Sequence, residues 1–349
     1  MSGTELRPAI NIINGKRDVT ALFTEFNIPV VKDLSVNLAG RADRYSDFGS
    51  AFSPKASVRY QAAPWLLLRG TASRGFRAPS LPEITNSTSV SYGNVIDPRD
   101  PITPTQARGI TNITVANSAL SPERSNNLNL GFVLSPTSTS SIGLDYYRIR
   151  TNGVIGTESA DSIIANEGAH PEKIVRDAQG RITTLYRQYA NQGDRLASGF
   201  DLDLRQRFPR TAYGSFTLNA QLSYVLKFEQ PLSVGAPLTN GAGNNWFGSI
   251  PKWRGVTAAN WENGPYSGTL TWNYVDGYDQ TTRPGERVKP VGTFDVNLGY
   301  KVSTATTLNL IVLNVGDKRP SWDSSFAFFD YTQSDPRGRF ASVKLTHKF

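Results

Sequence analysis

The sequence has no cysteine and only two histidines, His170 and His347, in 349 residues. These shortages exclude disulfides, thiolate metal sites and a cysteine nucleophile, and they argue against a zinc or histidine-based catalytic centre. No apolar run approaches the roughly 20 residues that a transmembrane helix needs. Hydrophobic residues make up 38% of the chain, which is low for a soluble protein of this size with a single dry core.

The residues that are plentiful favour strands and turns. Glycine occurs 30 times and proline 21 times, together with 17 Phe, 14 Tyr and 6 Trp. The formal net charge of +8 is spread along the whole chain. It therefore indicates solvated strand faces and loops, and we expect no nucleic-acid partner. The opening stretch MSGTELRPAI lacks the charged and apolar regions of a signal peptide, so none is expected there.

The strongest pattern is an alternation of apolar and polar residues. In GSFTLNAQLSYVLKF (214–228), Phe216, Leu218 and Leu222 fall on one face of a strand, and Asn219 and Gln221 fall on the other. Such alternation predicts thirteen strands, near 22–30, 33–45, 50–61, 64–76, 123–135, 138–150, 186–208, 212–228, 250–262, 265–279, 291–302, 306–316 and 337–349. Residues 158–169 are the one plausible short helix.

The predicted connections alternate between short turns and longer loops. The longer ones are 77–122, 151–185, 229–249, 280–290 and 317–336, with 46–49 as a short exception. Outer-membrane barrels have this asymmetry, with short periplasmic turns and long extracellular loops. Many of the strands exceed the five or six residues usual in soluble sheets and suit a tilted crossing of a bilayer. The loop 77–122 shows hardly any periodic apolar pattern and is expected to be irregular.

Five segments, in order along the chain, resemble motifs of one protein family. They are ASRGFRAPSLPEI (72–84), LSPERSNNLNLGF (120–132), ASGFDLDL (197–204), VLNVGDKRP (312–320) and DPRGRFASVKLTHKF (335–349). The second departs from the family pattern at Asn129, where glutamate is usual. On these motifs the chain resembles the C-terminal part of the TonB-dependent receptors, which are ligand-gated active transporters of the Gram-negative outer membrane.

The resemblance implies an all-β fold, a transmembrane antiparallel β-barrel of about 22 strands that is closed by an N-terminal plug domain. This chain would supply about thirteen C-terminal strands of it, without the plug. Residues 1–20 would be the remnant of an extracellular loop, and 21–349 would hold the strands and loops. The signal segment, the plug and about nine strands would lie outside this fragment.

The resemblance also implies a function, a location and partners. The function is active uptake of a scarce nutrient, a ferric siderophore or similar ligand or an oligosaccharide, with no catalysis, cofactor or metal centre. Partners would be the TonB energy-transducing complex, reached through the plug, and the barrel assembly machinery, which would recognise Phe349. Lipopolysaccharide and lipid would surround the protein in the outer membrane.

Two groups of residues are candidates for the site. Polar strand residues expected to line the lumen are Asp201, Asp203, Arg205, Asn219, Gln221, Asp295 and Asn297. Loop residues that are candidates for binding the ligand are Trp246, Phe247, Tyr278, Arg283, Arg287, Trp322, Phe328 and Tyr331. The aromatic rings can stack on a sugar or an aromatic siderophore, or they can pack loop against loop. The arginines can meet an anionic ferric chelate or the phosphates of lipopolysaccharide.

Two other functions stay open at this point. A passive porin-like channel has the same wall but no plug. A soluble β-rich carbohydrate-binding domain alternates in the same way, but its apolar faces are packed together.

Overall fold

The computed structural model describes residues 11–13, 15–281, 283–326 and 328–348. Thirteen strands pair in chain order into one antiparallel wall. They are β1 (Val19–Val31), β2 (Leu34–Tyr45), β3 (Gly49–Ala63), β4 (Leu66–Arg77), β5 (Glu123–Thr137), β6 (Ser140–Asn152), β7 (Arg195–Arg207), β8 (Ser215–Pro231), β9 (Trp253–Asn263), β10 (Tyr266–Val275), β11 (Val291–Lys301), β12 (Thr306–Leu313) and β13 (Phe340–His347). The all-β prediction is confirmed.

Each of the thirteen predicted strands corresponds to one wall strand. The largest difference concerns the predicted strand 186–208, which is divided between Ile182–Asn191 and β7. Gly193 lies at the break with φ of 135°, a conformation that glycine adopts at little cost. The chain therefore leaves one sheet and enters another where a single strand was expected.

The register gives the wall two chemically different faces. Residues opposite one another in neighbouring strands share a face. One row on the first face runs Leu218, Ala259, Leu270, Val296 and Val312. Leu270 is 46% exposed, so this apolar face is not packed against another layer. The soluble alternative, which requires packed apolar faces, is not what the described residues form.

The opposite face of the wall is polar and hydrogen-bonded. Arg69 of β4 donates through Nε to Oδ1 of Asp145 on β6 at 2.9 Å. The Ser223 hydroxyl donates to Oδ1 of Asp201 at 2.6 Å, and Asn273 donates to Oδ2 of Asp295 at 2.8 Å. Side chains on this face therefore satisfy one another across strands.

The two ends of the wall differ in the length of their connections. At the turn end the connections are 32–33, 64–65, 138–139, 208–214, 264–265 and 302–305. At the loop end they are 46–48, 78–122, 153–194, 232–252, 276–290 and 314–339. The alternation predicted from the sequence is thus confirmed.

Two of the long connections fold together into a unit that we call the loop domain (78–122 and 153–194). Its strands are Thr88–Ile96, Ala107–Val115, Ile155–Thr157, Ile174–Arg176 and Ile182–Asn191. A parallel pairing joins Ala107–Val115 to Ile182–Asn191. The expectation of an irregular loop over 77–122 was therefore wrong, because two nine-residue strands lie within it.

A short helix covers one face of the loop domain. The predicted helix 158–169 is observed as Ala160–Ala165, capped by the Ser159 hydroxyl, which accepts a hydrogen bond from the Ser162 backbone N–H. The core consists of Val95, Ile110, Ile163, Ile164, Ile182 and Leu185. The two helix isoleucines are buried against the sheet, which fixes the helix on it.

The remaining elements are short. They are the helix Leu81–Ile84, the 3₁₀ turns Pro171–Lys173 and Ser324–Phe326, and the strands Asn11–Ile12, Leu238–Asn240, Tyr278–Asp279 and Arg287–Val288. Asn11–Ile12 pairs with Thr88–Ile96, so this early segment adds to the loop domain. Among the described residues no helix is both long and apolar enough to cross a membrane.

Candidate functional site

Three connections at the loop end, 232–252, 276–290 and 314–339, form one cluster that we call the mouth loops. The backbone N–H of Asp279 donates to the Gly243 carbonyl at 2.8 Å, which joins the first two loops. The Ser324 hydroxyl donates to Gln280 at 2.5 Å, which joins the second and third. Gln333 donates to the Ser249 carbonyl at 3.0 Å and joins the third loop to the first. The mouth loops therefore hold one another in place.

A buried tyrosine lies at the centre of this cluster. Tyr278 donates its hydroxyl proton to Asp323 and lies 3.4 Å from Oδ2 of Asp330. Both carboxylates also accept hydrogen bonds from backbone N–H groups, from Ser325 at 2.8 Å and from Thr332 at 2.7 Å. Burial raises the pKa of Tyr278, and the bond to Asp323 raises it further. The hydroxyl thus stays protonated and fastens the 314–339 loop.

This burial bears on the prediction that Tyr278 contacts ligand. Its side chain is 2% exposed, so its ring is not presented at the surface of the mouth loops. A contact with ligand through this ring would require the loops to separate. The sequence could not show that Tyr278 is buried. A loop tyrosine that stacks on a ligand and a loop tyrosine that is hydrogen-bonded between two loops have the same local sequence pattern.

The most exposed aromatic pair lies on the last mouth loop. Trp322 and Phe328 are 63% and 67% exposed, with ring centroids 5.9 Å apart and planes at 88°. The backbone N–H of Asp323 donates to the Phe328 carbonyl at 3.0 Å, which closes the segment that carries both rings. Tyr331 is also exposed. An edge-to-face pair held in this way leaves ring faces open to a planar ligand.

The other predicted aromatic residues lie on the first mouth loop and differ in exposure. Trp246 is exposed, and its backbone N–H donates to Asn244 at 3.1 Å. Phe247 is half-buried and packs 6.1 Å from the Phe228 ring, centroid to centroid. Loop packing therefore accounts for Phe247, while Trp246 stays available at the surface.

The two predicted arginines are exposed but paired with carboxylates. Arg283 lies 3.5 Å from Glu286, and Arg287 lies 2.8 Å from Oδ1 of Asp279. Arg287 also donates to the Gly277 carbonyl at 3.0 Å. Part of their charge is compensated, which weakens them as anchors for an anionic ligand.

A cavity of about 230 Å³ lies between the polar face of the wall and the last mouth loop. The wall contributes Asn273, Thr293 and Asp295, and the loop contributes Lys318 and Arg337 among others. One predicted residue, Asp295, thus lies in a built pocket with two basic residues that sequence reasoning missed. The signal that could have found Lys318 is its place in the VLNVGDKRP motif.

Local backbone geometry positions the basic residues of this pocket. Asn314 and Asp317 adopt left-handed φ values of 48° and 50°, unusual for residues other than glycine. The Asn314 side chain donates to the Lys318 carbonyl at 2.8 Å and accepts from the Lys318 N–H at 2.9 Å. Arg337 pairs with Asp335 and lowers the pKa of that carboxyl to about 2.

The seven residues predicted to line the lumen all lie on the polar face. In that group Arg205 is opposite Asn219, and Asp203 is opposite Gln221, which donates to it at 3.2 Å. Asn219 is opposite Ala258, Ala258 is opposite Thr271, and Thr271 is opposite Asp295, so the same face continues across these strands. Asn297 lies two residues after Asp295 on the same strand and therefore shares this face. The register therefore brings these side chains together, although whether they face a lumen stays a prediction.

Two further predictions concern a metal centre and the chain terminus. Within the described ranges, no group of three or more His, Cys, Asp or Glu side chains is placed to hold a metal ion. Phe349, the predicted contact for barrel assembly, lies outside the described residues.

Solved structures with the same fold include siderophore receptors and a copper transporter. The siderophore receptor PirA from Acinetobacter baumannii matches with a TM-score of 0.67 and 18% identity over 95% of this chain and 46% of that chain. A mutant of the ferric enterobactin receptor PfeA from Pseudomonas aeruginosa, in complex with enterobactin, matches with a TM-score of 0.69 and 17% identity. The match covers 95% of this chain and 46% of that chain. The copper transporter OprC matches with a TM-score of 0.63 and 14% identity over 95% of this chain and 47% of that chain.

These identities are low, so the structural matches establish the fold alone. The chain spans less than half the length of each of these proteins. None of the curated proteins compared with the chain matches it. The family model described as "TonB dependent receptor-like, beta-barrel" matches residues 3–315. The chain therefore belongs to the TonB-dependent receptor-like β-barrel family.

Proposed function

We propose that this chain forms part of the wall and the mouth loops of an outer-membrane transporter. The transporter would take up a scarce nutrient with energy delivered through TonB. The observation that carries the proposal is the two-faced wall, with Leu270 and Leu298 about half exposed on one side and hydrogen-bonded polar residues on the other. Acyl chains cover such an apolar face, and a wet lumen suits the polar one.

The edges of the wall support a larger barrel. In the part of the chain that the structure describes, β1 and β13 each pair with a wall strand on one side only. Unpaired backbone N–H and C=O groups cost several kcal/mol each in hydrocarbon. Further strands that pair with both edges would remove this cost. The TonB contact, made through a plug, then belongs to the rest of the same transporter.

The ligand class that best fits the mouth is a ferric siderophore with aromatic groups. Trp322 and Phe328 present an exposed edge-to-face pair, and Trp246 adds a third exposed ring. Lys318 lines the pocket beneath the last loop and suits an anionic chelate, whereas Arg337 in the same pocket is paired with Asp335. The siderophore receptors of the same fold favour this class over a sugar.

Ligand binding by the outer-membrane protein that carries this chain tests the proposal. The double variant Trp322→Ala/Phe328→Ala should weaken binding of an aromatic ferric siderophore about tenfold or more, because stacking area is lost. The matched control is Trp65→Ala, which removes a 52% exposed tryptophan at the turn end. Equal affinities for the double variant and the control would refute the assignment of the mouth.

Dependence on energy separates the transporter from a passive channel. Uptake of the radiolabelled chelate should stop when a protonophore collapses the proton gradient of the inner membrane. Uptake that continues unchanged would favour the porin-like alternative. A passive channel would also lack saturation at micromolar ligand.

A further inference from the structure

The loop domain joins the wall through four chain crossings. β4 ends at Arg77 and β5 begins at Glu123, while β6 ends at Asn152 and β7 begins at Arg195. We call the residues at these crossings, 77–84, 116–123, 152–155 and 191–195, the neck. Because the loop domain has a core of its own, contacts within the neck bear directly on where the domain lies relative to the wall.

Arg77 lies at the centre of the neck and binds a carboxylate on each side. Its Nη1 donates to both oxygens of Glu83, at 3.1 Å and 3.0 Å, and its Nη2 donates to Oε1 of Glu123 at 2.7 Å. Glu83 belongs to the short helix Leu81–Ile84, which opens the loop domain, and Glu123 is the first residue of β5. The guanidinium fork makes charge-assisted hydrogen bonds in two directions. One side chain thus connects the wall to the loop domain.

The two glutamates have backbone partners as well. Oε2 of Glu83 accepts a hydrogen bond from the Ser80 N–H at 2.6 Å, and Oε1 of Glu123 accepts one from the Ile155 N–H at 2.8 Å. Each glutamate side chain is 13% exposed, so a carboxylate that lost Arg77 would stay largely desolvated without its cation. Ile155 lies on the crossing that follows β6. The cluster therefore fastens three of the four crossings together.

The crossings after β6 and before β7 each contain a glycine at which the backbone can turn. Gly153 and Gly193 have φ values of 64° and 135°, which glycine adopts at little cost. The Val154 N–H donates to the Gly193 carbonyl at 2.8 Å and holds the two crossings side by side. The ion pair at this place, Arg150 with Asp194 at 2.8 Å, is solvent-exposed and contributes little. This half of the neck is therefore held less firmly than the half that contains Arg77.

One further contact holds the neck from the side of β1. Arg17 donates to the Pro79 carbonyl at 2.7 Å and to Oδ2 of Asp47 at 2.8 Å. Pro79 lies before the helix Leu81–Ile84, so this contact fixes the point at which the chain leaves the wall. Asn11–Ile12 pairs with a strand of the loop domain and would move with it. The angle of the domain beyond Pro79 depends on the Arg77 cluster.

The cluster also gives a physical role to two of the sequence motifs. Arg77 and Glu83 belong to ASRGFRAPSLPEI (72–84), and Glu123 belongs to LSPERSNNLNLGF (120–132). The two motifs are separated in the chain by much of the loop domain and meet at its base. Their charged residues are therefore accounted for by the joint between the domain and the wall.

We propose that Arg77 is the positioning residue of the loop domain. Its ion pairs hold the domain at one angle to the wall, and the neck turns at Gly153 and Gly193 when they are broken. The effect on ligand rests on the proposed function, because the loop domain and the mouth loops lie at the same end of the wall. A receptor whose loop domain is in place for a tenth of the time binds its ligand about tenfold more weakly.

Distances between two spin labels test the joint in the outer-membrane protein that carries this chain. The chain has no cysteine of its own, so Leu22→Cys on β1 and Val175→Cys on the loop domain, both at exposed positions, provide the label sites. In Arg77→Gln the distance distribution should broaden and shift, because both ion pairs are lost. The matched control is Arg69→Gln, which removes an arginine of the same strand and face that pairs with Asp145 inside the wall. The control should keep the distribution of the parent.

Three further measurements separate position from folding. Hydrogen exchange over 88–115 should be as slow in Arg77→Gln as in the parent, because the core of the domain is intact. Arg77→Lys keeps the charge without the fork and should fall between the parent and the glutamine variant. Glu123→Gln can still accept the Ile155 N–H, and it should broaden the distribution as Arg77→Gln does. Combining the two changes should add little, since both break the same interaction.

The possible results are distinct. An unchanged distribution in Arg77→Gln, equal broadening in Arg69→Gln, or faster exchange over 88–115 would each overturn the positioning role. Affinity for an aromatic ferric siderophore, measured on the unlabelled variants, should fall about tenfold in Arg77→Gln. Altered distances with full affinity would overturn the effect on ligand. Absence of binding by the parent would instead refute the proposed function and leave the distance result standing.

Discussion

The wall and the loop domain are both β-sheet, but they place their apolar side chains in opposite ways. In the loop domain Leu185 is 0% exposed, and the helix isoleucines close over it. No wall strand contributes to the fully buried hydrophobic residues of the described chain. The loop domain is thus stabilised by a core of its own, whereas the wall depends on what surrounds it.

The difference extends to how each part treats polar groups. The loop domain contains a partly buried ion network in which Arg176 contacts Asp97 at 2.6 Å and Glu167 at 2.7 Å. The wall leaves Asp201 and Asp203 exposed on its polar face, where serine and glutamine are their partners. The loop domain and the wall therefore differ in where they place apolar side chains and, at these residues, in how their carboxylates are satisfied. Three variants can break or sharpen this comparison.

The largest expected effect is on the core of the loop domain. Leu185→Ala should lower the free energy of unfolding of this domain by about 2–5 kcal/mol, because it opens a cavity in a buried site. Hydrogen exchange should then speed up over 88–115 and leave the wall strands unchanged. The control Val175→Ala truncates an exposed residue of the same domain and should have little effect. Loss of protection throughout the wall would show that the two regions are one folding unit.

A charge on the apolar face tests the wall. Leu270→Arg should lower the free energy of unfolding in a bilayer by about 2–4 kcal/mol, because a guanidinium would enter hydrocarbon. Thr271→Arg, one residue away on the polar face, is the matched control and should cost much less. Urea titration of the protein in lipid vesicles measures both. Equal losses would contradict the assignment of the two faces.

The strands of the wall could be predicted because their pattern is local. Alternation in β8 or β11 is set by one apolar and one polar side, and it needs no knowledge of the neighbours. The loop-domain strands Thr88–Ile96 and Ala107–Val115 were not predicted, because their apolar residues do not stay on one face of the strand. In Thr88–Ile96, Val90 and Tyr92 are on one face, but Val95 is in the core on the other. Their parallel partner also lies about 70 residues away in the chain.

The site could be predicted less well than the wall. Alternation sufficed to place seven polar residues on one face, since face is a local property. Whether a loop aromatic is exposed like Trp322 or buried like Tyr278 depends on contacts between three loops. The proximity of Arg74 and Arg150 depends on strand register, which places both residues opposite Asn126. Neither kind of contact can be read from a single segment.

The smallest predicted effect concerns acid and the ion network of the loop domain. The hydrogen bond from Arg176 lowers the pKa of Glu167 below its usual 4.5, and the charges of Arg176 and Arg99 lower it further. A carboxyl with a lowered pKa in the folded state stabilises it above the unfolded pKa, and this stabilisation is lost as the pH falls through the folded value. The loop domain should therefore lose stability as the pH falls below about 4.5.

Glu167→Gln isolates this contribution. It should lower the stability of the loop domain at pH 7 by about 1 kcal/mol and flatten its dependence on pH below 4.5, since the titrating group is gone. Asp161→Asn removes an exposed carboxylate from the adjacent helix and controls for net charge. Hydrogen exchange of 88–115 from pH 3 to pH 7 measures the slopes. An unchanged slope in Glu167→Gln would mean that another carboxylate governs the acid response, and the contrast between the ion network and the solvated wall carboxylates would then lose its basis.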